Sequence, residues 1–361
     1  MGLGAIVVPG ERYRNSPAKS TRSFDGLLSE PLGYLDLAGR STAERTIERF
    51  VRADVDAVSV LQDESVSCAS KPCFTAFENV EFEAANDPYP AIQQKLRDYS
   101  QSGIEHAFLL FGNIYAETDL LDLFYFHREA RQAVTRTVNA EGALDFWVVD
   151  CAKAQEIDLH NLFVQKTSGS SYFIREYVNR LRHPRDLRRL ASDLLQGRCS
   201  CRPSGREVKR GIWIDDGAEV HRWARIVAPA YIGRGSKVME DTLITRHSSI
   251  EKNCCLDYGT VVEDSSILPN TEIGICLDVC HAIANGNKLL SLDRDVVIEI
   301  SDPAVMRSNS PLPKPAKSRR WAKNVLLFNR RKEVQATPAG LQPAAAAPER
   351  RRLETNPIRG E

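Results

Sequence analysis

The stretch that decides the fold runs from residue 230 to residue 250 and reads AYIGRGSKVMEDTLITRHSSI. An aliphatic side chain recurs at every sixth position, at Ile232, Val238, Ile244 and Ile250, and a small residue stands two positions before each of them. A strand repeats every two residues and a helix about every 3.6, so neither produces this period. A hexapeptide repeat instead indicates a three-sided coil of short parallel strands. We expect the aliphatic side chains to fill its axis and the small residues its corners.

The same spacing continues on both sides of that stretch. The aliphatic series comprises Val208, Ile214, Val220, Ile226, Ile232, Val238, Ile244, Ile250, Leu256, Val262 and Leu268. The small residues that precede most of its members are Ala218, Ala224, Ala230, Ser236, Thr242, Ser248, Cys254, Thr260 and Ser266. After Leu268 the register slips by one residue, to Ile273 and Val279. The spacing predicts about three turns of a parallel β-helix, followed by a last strand at 296–300.

The residues before the repeat have the pattern of an α/β domain. Short apolar runs typical of buried strands lie at 5–8, 56–61, 107–111 and 143–149. Apolar residues at helical spacing lie at 42–52, 119–131 and 186–195. Strands that alternate with helices favour a mainly parallel sheet covered on both faces. The predicted organisation is an α/β domain at 1–205, a β-helix at 206–303 and a tail at 304–361.

The predicted tail is rich in Pro, Ala and Arg, and we expect it to be disordered because it has too little apolar surface to bury. Residues 319–332 within it read RRWAKNVLLFNRRK. A basic segment with apolar residues between its charges is typical of a short amphipathic helix that contacts a partner or an anionic membrane. The alternative is an ordinary solvated tail.

Composition restricts the class of protein. The 361 residues include 48 basic and 48 acidic side chains, so the formal net charge is zero and nothing in it favours nucleic acid as a partner. No apolar run is long enough to span a bilayer, and the first residues lack the basic start of a signal peptide. Nine cysteines without a regular framework suit a reducing compartment. We therefore expect a cytoplasmic protein.

Two groups of cysteines have ligand types that metals prefer. They are Cys199-x-Cys201 and Cys276-x3-Cys280-His281. Neither has a second half at the spacing of a zinc site. We interpret these thiols as small buried or corner-filling side chains, and we predict no protein-bound metal.

Motifs in both parts carry a family resemblance. Residues 30–39, 109–128 and 183–197 read EPLGYLDLAG, LLFGNIYAETDLLDLFYFHR and HPRDLRRLASDLLQG. Together with an α/β domain followed by a hexapeptide β-helix, they resemble the sugar-1-phosphate nucleotidyltransferases of the mannose-1-phosphate guanylyltransferase type, over residues 3–303. The resemblance implies a Rossmann-like nucleotidyltransferase domain and a left-handed β-helix. It also implies synthesis of a nucleotide sugar from a nucleoside triphosphate and a sugar 1-phosphate.

In that family a glycine-rich loop, G-x-G-T-R, follows the first strand and lets backbone N–H groups approach the phosphates. The corresponding run at 10–14 reads GERYR. Gly10 and Arg14 match, and the resemblance makes both of them candidate nucleotide-binding residues, with Arg14 also a candidate catalytic residue. Arg12 stands in place of the second glycine, and its side chain would occupy space that the phosphate needs.

The family reaction also needs Mg²⁺ to neutralise charge that develops on the phosphates. An aspartate that follows a glycine at the end of a central strand holds this ion in the family. Here the pair is Gly112–Asn113, so Asn113 marks a vacated metal position and Gly112 is a candidate binding residue. The alignment puts Arg180 where the second carboxylate stands. We expect Mg²⁺ only if the protein is active.

The basic residues of the family site are also changed. The lysine expected directly before Pro31 is Glu30, and a carboxylate there repels a triphosphate. Lys19 is the candidate substitute, with a catalytic role. Lys166, at the end of FVQK at 163–166, is the candidate contact to the sugar phosphate.

Three acids follow the Gly112–Asn113 turn, at Glu117, Asp119 and Asp122. We interpret them as capping residues and first-turn complements to the helix dipole. The alternative is that they restore a metal site next to the turn.

Three functions are compatible with these residues. The combined loss of the second glycine, the lysine and the metal-binding aspartate favours a catalytically impaired family member. Such a protein would be a regulatory or assembly subunit that binds a nucleotide or nucleotide sugar. It would associate through its β-helix with a second copy of itself or with an active homologue. The second is an active nucleotidyltransferase with rearranged ligands, using Arg14, Lys19 and Asp119. The third is a hexapeptide acyltransferase, in which a histidine acts as general base. The candidate histidines are His221, His247 and His281.

Overall fold

The computed structural model describes residues 2–10, 26–28, 31–63, 79–112, 114–156 and 170–309. The predicted tail beyond residue 309 and its basic segment 319–332 lie outside the described residues. Among the helices in the described ranges, none is long and apolar enough to cross a membrane.

Among the described residues, eleven strands and four helices precede the hexapeptide repeat. The strands are β1 (Gly2–Val8), β2 (Asp36–Leu37), β3 (Arg40–Ser41), β4 (Ala57–Asp63), β5 (Val80–Ala85), β6 (Ile104–Phe111), β7 (Tyr115–Ala116), β8 (Val134–Asn139), β9 (Gly142–Asp150), β10 (Ser171–Phe173) and β11 (Val178–Asn179). The helices are α1 (Thr42–Arg52), α2 (Pro88–Gln101), α3 (Leu120–Ala130) and α4 (Pro184–Leu195). Short 3-10 helices lie at Leu32–Tyr34 and Lys153–Glu156.

Seven of these strands form one mixed sheet in the order β10-β8-β9-β6-β1-β4-β5. Strands β6, β1, β4 and β5 are parallel to one another, while β9 is antiparallel to both of its neighbours. Helices α1 and α3 pack on one face and α2 on the other. The predicted α/β arrangement with a mainly parallel sheet is confirmed. The chain order of the central strands reverses between β1 and β6.

Helix α1 shows why these segments become helices. Ser41 caps its first turn and forms a capping box with Glu44, whose carboxylate accepts the Ser41 N–H. Ala43, Ile47 and Phe50 recur on one side and are buried against the sheet. The observed bounds are those that the sequence predicts. Helix α2, by contrast, was not predicted.

Within 196–309, the part of the chain described after α4, seventeen strands follow. They are β12 (Arg206–Lys209), β13 (Ile212–Ile214), β14 (Glu219–Val220), β15 (Arg225–Ile226), β16 (Ala230–Ile232), β17 (Lys237–Val238), β18 (Leu243–Thr245), β19 (Ser249–Ile250), β20 (Cys255–Leu256), β21 (Val261–Glu263), β22 (Ser266–Ile267), β23 (Thr271–Ile273), β24 (Asp278–Cys280), β25 (Ala282–Asn285), β26 (Lys288–Ser291), β27 (Val296–Glu299) and β28 (Met306–Ser308). Strand β27 is the last strand predicted at 296–300.

Strands β13 to β25 form three parallel sheets, and successive strands along the chain belong to each sheet in turn. The parallel series are β13-β16-β19-β22-β25, β14-β17-β20-β23 and β15-β18-β21-β24. Each strand therefore pairs with the third strand after it, which is the topology of a three-sided coil. The coil has four complete turns before β25, so the prediction of three turns was too low. The sequence count missed the fourth turn, β22-β23-β24, because the register slips by one residue at its start.

The aliphatic series fills the axis as predicted, with two corrections. Ile250 pairs with Ile267, so the one-residue slip lies between Val262 and Ile267 instead of after Leu268. Ile267 lies in the axial core, whereas Leu268 packs against the α/β part. Val208 is 42% exposed on β12, which pairs antiparallel to β13 outside the coil. The six-residue period therefore finds aliphatic positions at both ends of the series, but it does not show whether their side chains point into the axis of the coil.

The small residues form the corners, and their hydroxyl groups link successive turns. Ser236 Oγ donates to the carbonyl of Glu251 at 2.6 Å and accepts the N–H of Cys254 at 2.9 Å. Ser265 Oγ makes the equivalent pair of bonds with Val279 and Ala282. A corner hydroxyl therefore satisfies two buried backbone groups that the short strands leave unpaired.

The α/β part and the coil belong to one compact unit and share a hydrophobic core. Helix α4 contributes Leu187, Leu190 and Leu194 to this junction, and the coil contributes Tyr231 and Leu268. The β2–β3 hairpin completes it. The connection between α4 and β12 runs along the same core.

Candidate functional site

The carboxyl ends of β1 and β6 place two of the predicted binding residues side by side. Val8 pairs with Phe111 as the last pair of the two strands, and the N–H of Gly112 donates to the carbonyl of Val8 at 2.8 Å. Gly10 and Gly112 both have positive φ, at 132° and 84°, which favours glycine. A Cβ atom on Gly112 would lie 3.8 Å from the Gly10 carbonyl oxygen.

This position is where ligands bind in open α/β sheets, because the chain order reverses between these two strands and leaves a crevice at their carboxyl ends. A Cβ atom on Gly10 would meet no atom of the described residues within 4 Å. Among these residues, none blocks the approach of a ligand to its backbone.

A narrow cleft with a volume of about 10 Å³ lies at the same edge of the sheet, against the first turn of α1. The residues that line it are Val7, Pro9, Gly33, Thr42, Ala43, Thr46, Leu110, Gly112 and Ile114. This described lining carries no carboxylate, so it offers no charged ligand for Mg²⁺. Its polar atoms are backbone groups and threonine hydroxyls.

Several predicted site residues cannot be placed against this cleft. Arg14, Lys19, Glu30, Asn113 and Lys166 lie outside the described residues, as does Arg12. Their roles stay predictions.

Arg180 is among the described residues, and it lies at the same edge of the sheet, next to the turn between β8 and β9. Its guanidinium donates to the Asn139 side chain at 2.8 Å and to the Gly142 carbonyl at 3.0 Å, and it lies 3.4 Å from the Glu141 carboxylate. The cation at the position of the expected second metal ligand therefore braces the turn between β8 and β9. A guanidinium offers no lone pair to a metal.

The three acids after the glycine turn have separate contacts. Asp119 caps α3 by accepting the N–H groups of Leu121 and Asp122, and Asp122 lies in the first turn of that helix. Asp122 also accepts the hydroxyl of Tyr172. The capping interpretation is confirmed for Asp119 and Asp122.

Glu117 does not cap α3, which corrects the interpretation for this residue. Its Oε1 atom accepts the hydroxyl of Tyr115 and both the N–H and the hydroxyl of Ser200, each at 2.6 Å. Ser200 lies in the connection after α4, far along the chain, and sequence spacing gave no signal of this contact.

The two cysteines that flank Ser200 lie next to Glu117. Cys199 and Cys201 are both buried, and the Cys199 thiol donates a hydrogen bond to Cys201. That bond lowers the pKa of Cys201, and the guanidinium of Arg45 lowers it further. The thiols are buried as predicted, but they also form a polar cluster with a carboxylate.

A second, larger cleft of about 540 Å³ lies between the β2–β3 hairpin and the first turns of the coil. Its charged lining comprises Asp36, Glu44, Asp215, Asp216, Arg40, Arg206, Arg234 and Lys252. Acidic and basic groups are equal in number, and Lys252 pairs with Asp36 at 2.9 Å. An excess of positive charge would favour the binding of a polyphosphate, and the charged lining of this cleft has no such excess.

The acyltransferase alternative receives no support from the coil. His281 Nδ1 pairs with the Asp264 carboxylate at 2.8 Å, and the His221 ring packs edge-on against Trp223. Burial and the nearby Arg188 lower the pKa of His247. Connections between strands from 212 to 285 are short, the longest holding four residues as at 221–224. Within this described stretch no loop projects to form an acyl-carrier site.

The described residues thus bring Gly10 and Gly112 together at the crevice of the sheet, while Arg180 and the acids after Gly112 make contacts of their own. Beyond these glycines, the geometry of the predicted site depends on segments 11–25, 29–30 and 113. No protein-family model matches the chain, and no curated protein matches it significantly.

Proposed function

We propose that this chain is a nucleotidyltransferase-like protein that binds a nucleotide or nucleotide sugar at the carboxyl ends of β1 and β6 and has lost efficient turnover. The observation that carries the proposal is the adjacency of Gly10 and Gly112. A glycine with positive φ follows each of the two strands that flank the crevice, and the absence of a side chain there leaves room for a phosphate beside the backbone.

The loss of turnover is inferred from charge. Nucleotidyl transfer needs a divalent cation held by carboxylates. The cleft lining described at this edge has none, and Asp119 and Asp122 are engaged by α3 and Tyr172. Arg180 brings a positive charge to the place of the second ligand. Arg14 and Lys19 remain the candidate contacts to the phosphates.

We further infer that the coil, which we propose to be left-handed, is the surface for assembly. Large apolar side chains are exposed at the same corner of successive turns. They are Trp223 (55%), Met239 (43%), Tyr258 (46%) and Ile275 (60%). Stacked corners make these residues one apolar ridge, and exposed ridges of this kind mark protein interaction sites. A second copy of this chain is the partner that we propose, in keeping with a regulatory or assembly role.

Calorimetric titration with a panel of NDP-sugars, with and without Mg²⁺, tests the binding proposal. We expect saturable binding of at least one compound, with an affinity that Mg²⁺ changes little. Pyrophosphorolysis assays on the same compounds should show no turnover. Absence of binding by every compound would overturn the proposed function, and Mg²⁺-dependent turnover would establish the active alternative instead.

A further inference from the structure

One carboxylate and two thiols meet at the junction between the α/β part and the coil. Glu117 follows β7, whereas Cys199 and Cys201 lie in the connection after α4. The ligand atoms of the three side chains all lie within 4.8 Å of one another. We propose that they bind one Zn²⁺ ion, which ties the connection after α4 to the segment after β7.

A small movement of the three side chains would bring their ligand atoms to the separations that Zn²⁺ requires. Zn–S bonds of about 2.3 Å and Zn–O bonds of about 2.0 Å place tetrahedral ligand atoms about 3.5–3.8 Å apart. The cluster is therefore within about 1 Å of the spacing that zinc imposes. Cys199 and Cys201 share a short stretch of chain, so a rotation of their side chains suffices to close the site. Three protein ligands leave the fourth tetrahedral position to water.

The carboxylate is already oriented by its neighbours. Tyr115 and Ser200 supply three hydrogen bonds, all to Oε1 of Glu117. Outer hydrogen bonds of this kind fix the orientation of a metal ligand and raise its affinity for the ion. The Oε2 atom of the same carboxylate is then the one that binds the metal.

Arg45 balances the charge of the proposed site. Its side chain is only 7% exposed, and its terminal nitrogens donate to the carbonyls of Leu37 and Arg202. Its Nε atom is buried and makes no hydrogen bond among the described residues. Two thiolates, one carboxylate and Zn²⁺ together carry one negative charge. A buried cation beside them compensates that charge, and the complex in turn stabilises the buried guanidinium.

The donor set selects the type of metal. Thiolates are soft ligands and favour zinc, whereas Mg²⁺ prefers oxygen atoms alone. The site is thus separate in chemistry from the Mg²⁺ of nucleotidyl transfer, and it does not depend on nucleotide binding. Both thiols give their protons to solvent when the ion binds, so no oxidant or reductant is required.

Metal analysis of the full, reduced chain tests the proposal. We expect one Zn²⁺ per chain after reconstitution and dialysis, and Co²⁺ in its place should give the charge-transfer absorption of cobalt–thiolate bonds. The double variant Cys199→Ser/Cys201→Ser should lose the ion and the absorption. Cys276→Ser/Cys280→Ser is the matched control, because both of its thiols are exposed, and it should retain both signals. Equal zinc content in the two double variants would overturn the proposal.

A measurement on the wild-type chain avoids variants that fail to fold. Zn²⁺ should slow the alkylation of Cys199 and Cys201 by at least an order of magnitude, as followed by peptide mass spectrometry. The exposed Cys276 and Cys280 should react at unchanged rates. Unchanged alkylation of Cys199 and Cys201 in saturating Zn²⁺ would contradict the site, as would a reduced chain that retains no metal.

Discussion

The carboxylate of Glu251, in the third turn of the coil, accepts the backbone N–H of Ala38 at 2.9 Å, although 213 positions separate the two residues. The N–H of Gly39 reaches the other oxygen at 3.0 Å. Glu251 is buried, and it holds the β2–β3 hairpin against the coil. Gly39 is required there, because any Cβ atom would lie 2.4 Å from the Tyr231 hydroxyl. One side chain therefore joins the two parts of the chain.

This contact predicts a pH-dependent stability. Burial, and then the charge of Asp36, raise the pKa of Glu251 from 4.5 to about 7. The folded state therefore holds this proton more tightly than the unfolded state, so the contribution is complete below pH 4.5 and is lost as the pH rises to about 7. The free energy of unfolding should fall by about 2–4 kcal/mol from this group across that window.

Urea unfolding at several pH values measures the effect. Glu251→Gln removes the ionisable group. The fall in the free energy of unfolding between pH 5 and pH 7.5 should therefore be about 2–4 kcal/mol smaller in this variant than in the wild type. Glu219→Gln is the control, because Glu219 lies exposed on the same coil and pairs with Lys237. Equal slopes in the wild type and in Glu251→Gln would show that this carboxyl group does not set the dependence.

A second prediction concerns the corners of the coil. Ser236→Ala leaves the buried N–H of Cys254 and the carbonyl of Glu251 without their partner. The expected loss in the free energy of unfolding is about 1–3 kcal/mol. Ala218→Ser, at the equivalent corner of the preceding turn, is only half-buried and should change stability by less than about 0.5 kcal/mol. Equal effects of the two changes in chemical unfolding would refute this role for the hydroxyl.

Most of the architecture follows from periodicity, since a repeat of six has few physical explanations. The axial residues from Ile232 to Val262 and the bounds of α1 were predicted from the sequence. Helix α2 escaped detection because only Ile92, Leu96 and Tyr99 form its apolar side, and its start carries two prolines. The register slip was misplaced because Ile267 and Leu268 are both aliphatic, and only the pairing of strands distinguishes them.

The site was harder to predict than the fold. The family resemblance pointed to Gly10 and Gly112, because both lie just after apolar runs that are recognisable as strands. It gave no indication of Glu251 or of Glu117 beside Cys199 and Cys201, since each contact joins segments that are distant in sequence. Contacts of this kind depend on how the hairpin and the connection after α4 pack on the coil. No local pattern encodes that packing.

The apolar ridge gives a third prediction. Trp223→Asp/Ile275→Asp places a charge at each end of the ridge, in the first and fourth turns, and we expect it to convert a self-associated chain into a monomer without loss of folding. Phe82→Asp, which changes an exposed side chain on the edge strand β5, should leave the assembly intact. Analytical ultracentrifugation distinguishes these states. A wild-type chain that is monomeric at all concentrations tested would contradict the ridge as a dimer surface.

The final prediction compares two glycines with the same backbone conformation. Gly112 and Gly103 both have φ of 84°, but Gly112 follows β6 at the proposed site and Gly103 precedes it at the opposite edge. Alanine at either position should cost about 1–2 kcal/mol of stability through the same strain. Only at Gly112 does the added Cβ atom enter the crevice beside Gly10.

Calorimetric binding of the NDP-sugar that binds best in the screen, to the wild type and to these two variants, tests the location of the site most directly. We predict that Gly112→Ala weakens binding by at least about tenfold, equivalent to 1.4 kcal/mol, while Gly103→Ala binds like the wild type. Equal affinities of the two variants would contradict a nucleotide site at the carboxyl ends of β1 and β6.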